Sequence, residues 1–238
     1  EAVRAGIVEG GAAQLETAHW GPETSGSDVG VGWLDLDTTY TYGPVHLASG
    51  RDEARQLGIP HFLVESAYED DIKETTPQSI RAQAYEALLT GGAGQVYGHG
   101  DIWQCRDSWR GSLDTPGSRD MAHVRALFDL LPWTELVPDL EQQLVVTGGG
   151  SLGSSDYVSV AATADRSVTV LYVPSPQTFE LDLGLAAHEV TATWHDPTTG
   201  RSEPASVTST RSGGVSVSHP GENADGDTDW VLVVKRVS

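Results

Sequence analysis

Pro60-His-Phe-Leu-Val-Glu65, followed after a short acidic loop by Thr76-Pro77 and a helical pattern over residues 77–89, decides the fold. The run before Glu65 is apolar without alternation, the mark of a strand covered on both faces. Thr76 stands where a helix cap belongs, and Pro77 occupies the first helical position, where its missing N–H costs nothing. The same rhythm extends in both directions. Residues 14–19, 31–36 and 94–97 read as further strands. Helices are expected around residues 50–57 and after Pro116, where Met121, Val124, Leu127 and Phe128 share one face. Strand and helix alternating at this spacing argue for parallel βα units.

From about Leu140 the period changes to two. Tyr157-Val-Ser-Val-Ala161, residues 167–173, Phe179-Glu-Leu-Asp-Leu183, Val190-Thr-Ala-Thr-Trp194 and Trp230-Val-Leu-Val-Val234 are β-branched or alternating. Turns rich in Gly and Pro separate them, among them Thr147-Gly-Gly-Gly-Ser151 and Asp196-Pro-Thr-Thr-Gly200. Seven or eight short strands without a helical stretch predict a small antiparallel β-sandwich. Residues 1–139 are thus expected to form an α/β domain and residues 140–238 an all-β domain. Four βα units are half of what a closed barrel needs. Either the other half comes from elsewhere, or the sheet is open. Residues 1–9 already read as the middle of a helix.

Thirty-four acidic against fourteen basic residues give a formal charge of −20, and Lys73 and Lys235 are the only lysines. That charge argues against nucleic acid and anionic membranes as partners. It fits either a high-salt habitat or arginine-favouring codon usage. No apolar run is long enough to span a bilayer. Cys105 is the only cysteine, so no intrachain disulfide is possible, and no pattern around it suggests a nucleophile.

In parallel βα architectures reactive groups collect just past the carboxyl ends of the strands. Those positions carry His19 and Trp20, then Asp35 with Tyr40 beyond it, then Glu65 and Glu69, and finally Tyr97 and Trp103. Carboxylates that act on an anomeric centre, together with aromatic rings that stack on sugar faces, are what a glycosidase site requires. Glu65 is the candidate catalytic group, since a buried strand would deliver it to the mouth. The other seven are candidate substrate contacts. Asp35 could instead pin a loop, and Glu69 could orient a neighbour or cap the loop. Asp70, Asp71 and Glu74 look like a solvated acidic loop. Asn223-Ala-Asp-Gly-Asp-Thr-Asp229 lacks the glycine after the third acidic position and the terminal glutamate of a calcium loop, and reads as an acidic hairpin turn. No nucleophile elbow, phosphate-cradling loop or metal-spaced histidine pair occurs, so neither cofactor nor metal is expected.

With these residues laid out, the chain resembles the apiosidase-like glycoside hydrolases with their collagen-binding-type β domain. The resemblance rests on Thr17-Ala-His-Trp-Gly21, Trp33-Leu-Asp-Leu-Asp-Thr-Thr-Tyr-Thr-Tyr42, Phe62-Leu-Val-Glu-Ser-Ala-Tyr-Glu69, residues 81–91, Tyr97-Gly-His-Gly-Asp-Ile-Trp103, Leu113-Asp-Thr-Pro-Gly117 and Trp194-His-Asp-Pro-Thr-Thr-Gly200. It implies the C-terminal half of a (β/α)8 barrel and a retaining site in which Glu65 matches the nucleophile. The family's acid/base is an aspartate expected upstream of Glu1, so no residue here takes that role. A partner is implied as well: an N-terminal half-barrel polypeptide or a second copy. The expected function is hydrolysis of a plant or microbial polysaccharide outside the cell. The alternative is a carbohydrate-binding or scaffold protein with an incomplete barrel.

Overall fold

The structure is a computed structural model that describes residues 2–11, 14–30, 32–184, 187–211 and 213–237. Helices α1 (Ala2–Glu9) and α2 (Gly26–Val29) precede β1 (Asp37–Tyr40), α3 (Val45–Ala54), β2 (His61–Glu65) and α4 (Pro77–Leu89). A short helix α5 (Gly100–Trp103) and then α6 (Pro116–Phe128) follow. Strands β1 and β2 are parallel, with Asp37 opposite His61 and Tyr40 opposite Glu65. None of the described helices is long and apolar enough to cross a membrane.

Thr-Pro-x-Ser starts both long helices. Thr76 accepts from the Ser79 amide at 3.1 Å while Ser79 Oγ accepts from the Thr76 amide at 2.9 Å. Thr115 and Ser118 repeat the exchange at α6. Each pair satisfies two amides that a helix end otherwise leaves bare.

The expected strand over 14–19 is not regular; this segment is held to the start of β1 by single contacts. Asp35 and Leu36 donate to the Glu16 carbonyl, and Thr38 Oγ1 donates to that of Ala18 at 2.8 Å. The strand expected over 31–36 also gives way. Val31 lies outside the described residues, 32–36 are irregular, and the strand begins at Asp37. Local chemistry accompanies the shift: Gly30 is left-handed, and the Asp35 and Asp37 carboxylates accept from the amides of Glu16, Gly26 and Thr38. Residues 94–97 do lie beside β2, but through one parallel bridge between Leu63 and Gln95. Helix α3 starts five residues before the expected 50–57, behind Pro44, and ends where Gln56 and Gly58 turn left-handed.

Ten strands follow: β3 (Leu136–Pro138), β4 (Val145–Thr147), β5 (Ser159–Thr163), β6 (Val168–Val173), β7 (Thr178–Leu181), β8 (Val190–His195), β9 (Ser202–Pro204), β10 (Val207–Ser209), β11 (Val215–Ser218) and β12 (Trp230–Arg236). They form a four-stranded sheet, β10-β11-β7-β4, and a six-stranded sheet, β3-β5-β6-β12-β8-β9. Every pairing in them is antiparallel. Phe179, Leu181, Val215 and Val217 from the first meet Leu171, Trp194 and Leu232 from the second in one core. The opposite face of the six-stranded sheet carries Val170, Tyr172, Val231 and Val233, which pack on Tyr85 and Leu89 of α4 and on Val124, Leu127 and Phe128 of α6. This sheet is therefore a middle layer, which is why Val231-Leu-Val-Val234 runs apolar without alternating.

A charged cluster sits in that contact. Arg81 of α4, fully buried, reaches Asp120 of α6 at 2.9 Å, Asp227 at 2.7 Å and Asp229 at 2.6 Å. Tyr172 and Asn223 add hydrogen bonds to Asp229. The acidic turn before β12 thus has a structural task. Two of its carboxylates neutralise a buried guanidinium.

Candidate active site

Glu65 closes β2, and the β1 register puts Tyr40 directly across from it. Tyr42, two residues on, falls on the same side of the strand line. Both phenols reach Glu65 Oε1, Tyr42 at 2.7 Å and Tyr40 at 3.0 Å, and the two hydroxyls lie 2.9 Å apart. Three contacts share two protons, so Oε1 always receives at least one donor. His19 Nε2 stands 3.1 Å from Oε2, with its ring 5.0 Å from that of Tyr40. The Glu65 side chain keeps 17% exposure. It is held from two sides and still open to the mouth. Burial first, and then the hydrogen bonds with Tyr40 and Glu65, push the Tyr42 phenol well up, so it stays a proton donor. Burial likewise raises Tyr40, and it raises Tyr68, where the charge of Glu65 adds to the effect.

Of the expected contacts, His19 and Tyr40 join Glu65. The others divide. Glu69 is buried, with Oε2 accepting from Thr115 at 2.7 Å and from Tyr97, and Oε1 accepting from the Gly117 amide at 3.1 Å. Burial alone would raise this carboxyl, but Thr115, Tyr97, Gly117 and then His99 outweigh it and hold it below the usual range. Glu69 and Tyr97, expected on the substrate, thus fasten α6 to the end of β2, with a carboxylate at a helix N-terminus where the dipole favours it. Asp35 pins the loop before β1 by accepting from the Glu16 amide at 2.9 Å. Trp103 is 55% exposed, and its indole N–H donates to Asp71 at 3.0 Å. Asp71, in the acidic loop, thus orients an exposed indole. Trp20 is half-buried, and its ring nitrogen has no partner among the described residues.

Sequence reasoning quoted Tyr42 without giving it a role. The signal was the Tyr-Thr-Tyr spacing at a strand end, which sets two hydroxyls on one face. Among the described residues no cluster of three or more His, Cys, Asp or Glu is placed to hold a metal ion.

Two solved structures share the fold. One is a crystal structure of a glycoside hydrolase family 5 protein from Bacteroides vulgatus, with a TM-score of 0.77, 23% identity, and 93% of this chain covering 55% of that one. The other, described as a glycoside hydrolase, has a TM-score of 0.77 and 21% identity, with 93% of this chain covering 57% of its length. The chain therefore spans little more than half of either. A mixed α/β unit with a strand-end carboxylate, joined to a β-rich unit, is a glycoside-hydrolase-type fold related to the TIM barrel. The family model described as "Apiosidase-like, catalytic domain" matches residues 1–135, and "Putative collagen-binding domain of a collagenase" matches residues 137–235. The chain belongs to the apiosidase-like family. No curated protein matches it.

Proposed function

We propose that this chain is the C-terminal half of a retaining (β/α)8 glycoside hydrolase, carrying the nucleophile Glu65 and, beyond about residue 139, a β-sandwich accessory domain. The observation that carries this reading is the Glu65 carboxylate at the end of β2, fixed by Tyr40 and Tyr42 on one oxygen and faced by His19 on the other. In this reaction Glu65 attacks the anomeric carbon as the glycosidic C–O bond breaks, and the leaving oxygen takes a proton from an acid outside this chain. Water then cleaves the glycosyl ester, losing its proton to that same group and restoring the Glu65 carboxylate. The phenols limit rotation of the carboxylate, so less ordering is needed at the transition state. The substrate is a plant or microbial polysaccharide met outside the cell. The acid and the remaining strands come from an N-terminal half-barrel or a second copy.

The test is Glu65→Gln in the assembled barrel, a change that keeps shape but removes the attacking charge. Single-turnover cleavage should fall by several orders of magnitude while sugar affinity and folding persist. A variant that cleaves as fast as the parent refutes the nucleophile and moves the non-catalytic carbohydrate-binding reading ahead. In the closed barrel, a distance from Glu65 to the acid of about 5–5.5 Å agrees with retention, and about 6.5–9.5 Å with inversion.

A further inference from the structure

Beside the Glu65 site lies a cavity of about 540 Å³, walled by the start of α3, by α4 and by residues 153–155 from the loop between β4 and β5. Its size is in the range of small-molecule sites. The wall from the β-rich unit is built in, not draped over. His46, buried, accepts from the Gly153 amide at 3.0 Å and stacks on Tyr157 with ring centroids 4.4 Å apart. The His46 amide donates to Glu86 Oε2 at 3.0 Å, and that same carboxylate oxygen lies 3.0 Å from His46 Nδ1. Gln78 of α4 adds a bond to the Pro174 carbonyl at 2.7 Å.

Tyr42 stands between the cavity and the catalytic end: it lines the cavity while its hydroxyl binds Glu65 at 2.7 Å. Lys73, also in the lining, holds its ammonium 4.8 Å from the Tyr42 ring centroid. Ser66, Gln83 and Ser155 add groups that both donate and accept, and Pro44 adds an apolar surface. Rings and apolar carbons for C–H faces, with hydroxyl, amide and ammonium groups for oxygens, match a saccharide unit. From this we infer that the cavity binds a unit of the polysaccharide beyond the scissile bond, so that the β-rich unit takes part in substrate binding. The inference rests on the glycosidase reading for the identity of the ligand.

Two variants fill the cavity from opposite walls: Ser155→Trp from the β-rich unit and Gln83→Trp from α4. Each is made in the Glu65→Gln background, which binds without cleaving, and is matched to it by thermal unfolding. The probe is an array of plant and bacterial cell-wall oligosaccharides of two to six units. At least one variant that unfolds with the background should lose about tenfold or more in affinity for members of three or more units, while two-unit members stay within about twofold. Equal binding of long members by a folded filled variant overturns the cavity assignment and leaves the glycosidase reading intact. Uniform loss at every length overturns the separate-subsite assignment. No glycan binding by the Glu65→Gln background overturns both readings.

Discussion

Tyr42 donates its phenol proton to Glu65 from a loop position just beyond β1, and Tyr40 donates from the strand itself. A hydrogen bond to a charged group contributes about 1.5–3 kcal/mol. Under the proposed mechanism, Tyr42→Phe should lower kcat by about ten- to a hundredfold with little change in KM, because Tyr40 and His19 still hold the carboxylate. Steady-state kinetics of the assembled enzyme check this, and an unchanged kcat removes Tyr42 from the positioning set. At this scale legibility follows sequence distance. The place of Glu65 at the end of β2 could be read because the apolar run ending at Val64 is local. The partners of Glu69 could not, although an orienting role was open to it, because Thr115 and Gly117 lie 46 and 48 residues away and meet it only in the fold. The Asp71 contact was hidden for the same reason: its indole partner is 32 residues further along.

Among the elements, α4 and α6 were legible because their start signals are chemical and local, whereas the segments at 14–19 and 31–36 were read from hydrophobicity alone. Strands need a neighbour as well as a pattern, and between these two segments the Asp35 carboxylate takes the Glu16 amide. The start of α6 gives the prediction at this scale. A methyl group on Gly117 would stand 2.6 Å from Glu69 Oε2 and 3.1 Å from the Tyr97 ring. Neither neighbour is a free chain end, since each is tied to the other. Gly117→Ala should therefore destabilise the fold by about 1–3 kcal/mol. Gly111→Ala, whose methyl would meet nothing within 4 Å, serves as the control. Urea titrations of the two variants make the comparison, and equal midpoints would show that the Glu69 anchor yields easily.

At the scale of the whole molecule, the alternation of strand and helix followed by period-two strands foretold a mixed unit and then a β-rich one. What could not be read is the charge cluster between them, since Arg81 and Asp229 are 148 residues apart. Three carboxylates converge on one guanidinium. Burial pushes Asp120 up to about 6, against the pull of Arg81, and the neighbouring aspartates add to the rise. The sign follows from linkage. Asp120 is protonated more readily in the folded state than in the unfolded chain, so its contribution is fully present below about pH 4. It is lost as pH rises through about 6. The loss is on the order of 3 kcal/mol. Asp120→Asn cannot ionise, so its stability should decline less than the parent's between pH 4.5 and 6.5. Denaturant unfolding across that window decides it, and parallel curves would place the pH dependence elsewhere.

The six-stranded sheet that is covered on both faces bears on inheritance and on engineering. A module that evolution or a protein engineer can cut out and graft elsewhere must carry its own outer surface. The sheets beyond Leu136 do not, because Val170, Tyr172, Val231 and Val233 expect a helical lid. A recipient scaffold would have to receive α4 and α6 along with the strands, or offer two helices of matching spacing. The transplantable unit therefore starts inside the α/β half, ahead of Thr76, and recombination at the boundary between the two family matches would separate surfaces that pack on each other.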